Sequence, residues 1–174
     1  MPASVLVGYA TRYGSTQEVA EAVAAELRKC GVEASVAPLK QVRTLEEYSA
    51  VVLGAPLYIG AWPGDAKRFL AKHQTALAQR PVAIFSLGPL SSAEGEMQGT
   101  RAQLDKQLSN FPWLKPVDVA LFVGRFDPQR LHFPDNLVTM FQGSPLYQVP
   151  ASDRRDWAAI HAWASSLAVK LKPA

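Results

Sequence analysis

Short apolar runs and helical stripes alternate along this chain. Val5-Leu6-Val7-Gly8-Tyr9 has the continuous, β-branched character of a strand covered on both faces. A small polar loop, Thr11 to Thr16, follows it, and then Val19, Ala20, Val23, Ala24 and Leu27 fall on one helical stripe. Gly31 stands where a helix stops on a residue of positive φ, and Val32 to Ala37 alternates like a strand. The pattern then repeats. Ala50 to Ala55 reads as a buried strand, Pro56 to Pro63 as a loop, and Ala66, Phe69, Leu70 and Leu77 as a helical stripe. Val82 to Phe85 is the next strand, followed by a loop from Leu87 to Glu94 and a helix near Gln98 to Leu108. Val117 to Val123 makes a fifth strand. Trp157, Ile160, Ala164, Leu167 and Leu171 line a closing helix, for which Ser152-Asp153 is the expected cap. Strands alternating with helices predict an α/β fold with a doubly wound parallel sheet.

One long irregular stretch remains, from Phe126 to Pro150. Within it Phe133, Leu137, Val138, Met140 and Phe141 fit one helical face after Pro134, and packing against the sheet is the expected fate of that face. It carries no Lys or Arg between Leu131 and Asp153, whereas helices lying on membranes carry cations on their polar side; membrane contact is therefore not expected.

In open parallel sheets, ligands bind beyond the carboxyl ends of the strands, where strand order reverses. The loop after the first strand therefore matters most. Its hydroxyls, Thr11, Ser15 and Thr16, surround Gly14 directly before a helix, where free N–H groups and the positive helix end suit a phosphate. No Gly-Lys-Ser/Thr is present to grip a triphosphate, and G-x-G-x-x-G is missing, which disfavours a dinucleotide. A hydroxyl-rich loop around one glycine suits a terminal monophosphate. The alternative reading of the cluster is a plain helix cap, against which its position after the first strand speaks.

Composition narrows the picture without redirecting it. At 174 residues one domain over 1–174 is expected. A single cysteine, Cys30, excludes an intrachain disulfide and a cysteine-rich metal site, and it fits the cytoplasm. Met1 to Ser4 shows no basic region ahead of an apolar one, so no secretory leader is expected. The net charge of +3 is scattered rather than striped, so no nucleic-acid partner is expected. His73, His132 and His161 lack metal-ligand spacing and read as surface residues of helices or loops.

Taken with its flanks, Thr11-Arg12-Tyr13-Gly14-Ser15-Thr16 resembles the phosphate loop of the flavodoxin family, and Val52 to Trp62 resembles that family's second flavin loop. More narrowly, the arginine in the first loop and Gly60-Ala61-Trp62 in the second resemble the branch containing menaquinone-dependent protoporphyrinogen dehydrogenases. The resemblance implies a flavodoxin-like fold with strand order 2-1-3-4-5 and flavin mononucleotide (FMN) as cofactor. It implies that Thr11, Arg12, Tyr13, Gly14, Ser15 and Thr16 hold the phosphate. Pro56, Leu57, Tyr58, Ile59, Gly60 and Trp62 would flank the ring, with Tyr58 and Trp62 as stacking candidates. Ser86, Leu87, Gly88 and Pro89, in the loop running to Leu90, would cover its other edge. No side chain is required as acid or base.

The partner is then either a redox protein or a small organic substrate such as a porphyrinogen. The mildly basic charge departs from the strongly acidic flavodoxins that shuttle electrons. A receiver domain would need carboxylates at the ends of the first and third strands, where Gly8-Tyr9-Ala10 and Ala55-Pro56-Leu57 stand. An ester hydrolase would need G-x-S-x-G, which does not occur. A non-redox binding module on the same fold is the remaining alternative.

Overall fold

The computed structural model describes residues 4–144 and 146–172; the first three residues of the expected leader-free start lie outside this range. Five strands, β1 (Ser4–Tyr9), β2 (Glu33–Pro38), β3 (Ala50–Pro56), β4 (Val82–Leu87) and β5 (Asp118–Phe122), form one parallel sheet in the order β2-β1-β3-β4-β5. The register sets Val7 between Val36 and Val52, and Leu53 beside Ile84. The reversal of order therefore lies between β1 and β3, in the order that the resemblance implies.

Apolar clusters cover both faces. On one, Val5, Val7, Val52 and Phe85 meet α1 (Ser15–Lys29) and α5 (Trp157–Lys170). On the other, Leu6, Leu53 and Ile84 meet Phe69 and Leu70 of α2 (Gly64–Lys72) and Leu104 of α4 (Glu94–Ser109). Gly54 is needed at the crossing: a Cβ there would lie 2.1 Å from the Phe85 ring. Among the described residues no helix is long and apolar enough to cross a membrane.

Several expectations need correction. The stripe from Ala66 to Leu77 is interrupted at His73, which separates α2 from the short α3 (Gln74–Ala78). His73 is not a surface residue: it is buried 4.8 Å from the Phe69 ring, and burial, then the Lys72 charge, lowers its pKa. His132 is exposed and His161 half-buried. The α5 cap is Asp156, whose carboxylate accepts from Ala159 N–H at 3.0 Å, and not Ser152-Asp153. Those two residues instead form β7 (Ser152–Asp153), antiparallel to β6 (Arg125–Phe126). The helix-like face of the long stretch is only a short 3-10 turn, Asp135–Thr139. Its aromatic residues point outward, with Phe133 79% and Phe141 63% exposed, so that face is not core. The side chain of Val138 lies outside the described residues.

Candidate functional site

A cleft of about 520 Å³ opens at the carboxyl ends of the strands. Its first wall is the loop between β1 and α1. The Thr11 hydroxyl accepts from Gly14 N–H at 2.8 Å, closing a tight turn, and Gly14 turns the chain into the helix at φ 88°. No atom lies within 4 Å of where a Gly14 Cβ would stand, so the glycine answers a backbone demand and not a shortage of space. The first intrahelical bond runs from Glu18 N–H to the Gly14 carbonyl at 3.3 Å, leaving the N–H groups of the preceding turn free of helical partners. Thr16 is fully buried and its hydroxyl has no partner among the described residues, an arrangement that is costly unless a ligand completes it.

The second wall is a hairpin. Tyr58 and Ala61 exchange backbone hydrogen bonds of 2.9 and 3.1 Å around Ile59 and Gly60, both at positive φ (50° and 73°). This is the two-residue turn in which both central residues are left-handed. A β-branched residue rarely adopts that conformation, yet Ile59 does so at the hairpin tip, 81% exposed. The Gln107 side chain braces the turn, donating to the Gly60 carbonyl at 3.4 Å and accepting from Trp62 N–H at 3.3 Å.

Arg12 and Tyr13 converge on one carboxylate from the long stretch. Arg12 Nε lies 2.5 Å from Asp135 Oδ2, Tyr13 Oη donates to the same oxygen, and the Arg12 guanidinium sits 4.4 Å over the Tyr58 ring. Burial, then the charge of Asp135, pushes the Tyr58 phenol up to about 12, so it stays protonated at neutral pH. Its hydroxyl is also buried, with no hydrogen-bond partner among the described residues.

The structure sorts the sequence-derived site residues. Arg12, Tyr13, Ser15, Pro56, Leu57, Tyr58, Ile59, Gly60, Leu87 and Gly88 line the cleft. Thr11, Gly14 and Thr16 build the turn beneath its edge. Trp62 and Ser86 do not face it. Trp62 is 2% exposed, its indole N–H donates to Ser86 Oγ at 2.9 Å, and its ring stacks on Phe111 at 6.4 Å. A polar partner inside the core lets the indole bury completely, so of the two stacking candidates Tyr58 is the one that lines the cleft. Pro89 is buried and acts through its carbonyl, which accepts from Gly124 N–H at 2.8 Å.

Other lining residues escaped the sequence reading. Gln103 comes from α4, and Gly124, Arg125, Phe126 and Asp127 follow β5. Position at the end of a parallel strand could have flagged the latter group. Arg130, Leu131, Ser144 and Leu146 come from the long stretch, which offers no periodic signal. Glu96 is a further hidden support: it accepts from Ser91 Oγ at 2.5 Å and from Leu90 N–H, fixing the loop after β4.

The site suits FMN. The turn at Gly14 offers free amides and the unpartnered Thr16 hydroxyl to a phosphate, while Leu57, Tyr58 and Leu87 offer apolar and aromatic surface to a flat ring.

Comparison with known proteins agrees. The protoporphyrinogen IX dehydrogenase [quinone] of Escherichia coli (strain K12) is 29% identical over 136 residues, covering 76% of this chain and 75% of that protein. A protein of the same name from Leishmania major is 24% identical over 170 residues, covering 94% and 74%. Among solved structures, a short-chain flavodoxin associated with a bacterial microcompartment matches with a TM-score of 0.62 at 16% identity, covering 98% of this chain and 99% of that one. A mutant flavodoxin from Pseudomonas aeruginosa matches at 0.57 and 18% identity, with the same coverage. The family model described as "Flavodoxin domain" matches residues 6–141. The chain belongs to the flavodoxin domain family and is an FMN-binding redox protein.

Proposed function

We propose that this chain is an FMN-dependent oxidoreductase acting on a small organic substrate of the porphyrinogen class, the class named in its relatives. The observation that carries this reading is the surface beside the cleft. Phe133, Met140 and Phe141 stand exposed on the segment whose neighbouring residues, Leu131, Ser144 and Leu146, line the cleft, and Ile59 stands exposed on the opposite wall. Charges also line the cleft, Arg12, Arg125, Asp127 and Arg130 among them, but the residues standing furthest into solvent beside it are apolar. That apolar edge suits a large apolar molecule.

In this reading Thr11, Arg12, Tyr13, Gly14, Ser15 and Thr16 receive the FMN phosphate, and the Tyr58–Gly60 hairpin with Leu87 and Gly88 encloses the ring. FMN supplies the acceptor for one or two electrons, and the surrounding protein sets its potential. The chain's part is to bind, orient and exclude water. Arg12 brings positive charge toward the phosphate edge, and the Tyr58 phenol adds a neutral, protonated donor. The cytoplasm is the compartment proposed for this chemistry, consistent with the single cysteine.

The test begins with the absorption spectrum and the mass of the released cofactor. The FMN-loaded protein should then oxidise protoporphyrinogen with a soluble quinone and no helper protein. Turnover only when a reductase and a protein acceptor are both added would replace this reading with that of a carrier.

A further inference from the structure

Against the phosphate loop lies a set of charges that the proposed function does not use, one of which, Arg125, also lines the cleft. Arg155 is enclosed, with its side chain 4% exposed. Its Nε and one terminal nitrogen grip both oxygens of Asp153 at 2.8 and 2.6 Å. The other terminal nitrogen reaches Glu18 Oε2 at 2.5 Å and the Ser15 carbonyl at 3.4 Å. Arg125 meets the same Glu18 at 3.2 Å and donates to the Tyr13 carbonyl at 3.3 Å. The pairing of β6 with β7 makes this possible, because it sets Arg125 directly opposite Asp153.

We propose that Arg155 and Arg125 are the positioning residues that give this protein its preference for a phosphorylated flavin. The inference rests on the placement of the FMN phosphate at the Thr11–Thr16 loop.

The argument starts from the peptide bond. In a trans peptide the C=O and the following N–H point to opposite sides. Two guanidinium groups that hold the Tyr13 and Ser15 carbonyls therefore fix where the Gly14 and Thr16 amides point. The Gly14 amide is delivered to the Thr11 hydroxyl, closing the turn. The Thr16 amide, beside its own unpartnered hydroxyl, is left for an anion.

Charge counting supports positioning over simple attraction. Two arginines face two carboxylates, Glu18 and Asp153, so the set is neutral and draws a phosphate weakly by its field alone. Burial raises the Glu18 pKa, but the hydrogen bond and charge of Arg155, with those of Arg125, outweigh it and hold the carboxyl below its usual range. Glu18 thus stays charged at neutral pH, paired with both arginines. A fully satisfied polar network of this kind makes its surroundings rigid. Donors that are already aimed bind an anion without the cost of being ordered. An enclosed arginine is expensive to bury, and the bidentate grip on Asp153 with the bond to Glu18 is what offsets it.

Riboflavin separates the roles, because it has the same ring and no phosphate. Dissociation constants for FMN and riboflavin should be measured by quenching of flavin fluorescence for wild type, Arg155→Met, Arg155→Lys and Arg125→Met. We expect Arg155→Met to weaken FMN roughly tenfold or more, the loss of one charge-assisted bond, and to change riboflavin less than about twofold; Arg125→Met, at a residue that also lines the cleft, should weaken FMN more than riboflavin. Arg155→Lys should restore only part of the FMN affinity, since a point charge cannot reproduce the two-pronged grip. Equal losses for both flavins, or an unchanged FMN affinity, would overturn the proposal. Should Arg155→Met fail to fold, Arg155→Lys, which keeps the charge and lies outside the cleft lining, carries the same comparison. Wild type that holds riboflavin as tightly as FMN would instead remove the phosphate from this loop, a distinct result that sinks the underlying placement and the inference with it.

Discussion

The sheet with its helices and the stretch from Asp127 to Ala151 are held by different forces. In the sheet, Val5, Val7, Val51, Val52, Ile84 and Phe85 are sealed from water, and the hydrophobic effect does the holding. In the stretch, short 3-10 turns carry apolar side chains outward, and the polar attachments are Asp135 to Arg12 and Tyr13, with the arginine set closing its base. One region is specified by what it hides, the other by which charges it pairs. The first tolerates little change of volume, whereas the second tolerates apolar changes and is sensitive to single carboxylates.

The largest effect should come from the sheet. Phe85 packs over Gly54 and against Trp163 at 5.9 Å, so Phe85→Ala should cost about 3–5 kcal/mol, read by urea unfolding. A loss under about 1 kcal/mol would erase the contrast. Next comes the attachment. Asp135→Ala removes the acceptor of both Arg12 and Tyr13 and should cost about 1–3 kcal/mol, with limited proteolysis now cutting first between 127 and 151. Unchanged cleavage would show that the stretch is held by other contacts. The smallest change should follow replacement of both exposed rings: Phe133→Ser with Phe141→Ser should leave stability within about 0.5 kcal/mol of wild type. A larger loss would mean that these rings are covered in solution.

The same division explains what could be read from the chain. The strands fell within a residue or two of expectation because continuous burial imposes continuous apolar runs, and their order followed from the loop chemistry and the resemblance it supports. The first turn of α4, Glu94 to Met97, escaped because none of its residues is buried and Gly95 stands in it, so it leaves no apolar stripe to read. Trp62 was assigned to the flavin because an aromatic in that loop has two good fates, and the hydroxyl that decides between them lies on Ser86, in a different strand. Asp135 carried no local signal at all: its partner Tyr13 is 122 residues away in sequence. Pairings of that span are invisible to periodicity, which sees only neighbours along one element.

One inconspicuous feature gives the molecule a built-in ruler. Cys30 is exposed at the far end of α1, the helix that begins at the phosphate loop, and it is the only cysteine in the chain. Fifteen helical residues separate the two ends, about 22 Å at the usual rise. A thiol-reactive dye would therefore attach at one point, about one helix length from the phosphate loop, without any residue being changed. Energy transfer between that dye and the flavin could then report cofactor arrival and departure in real time.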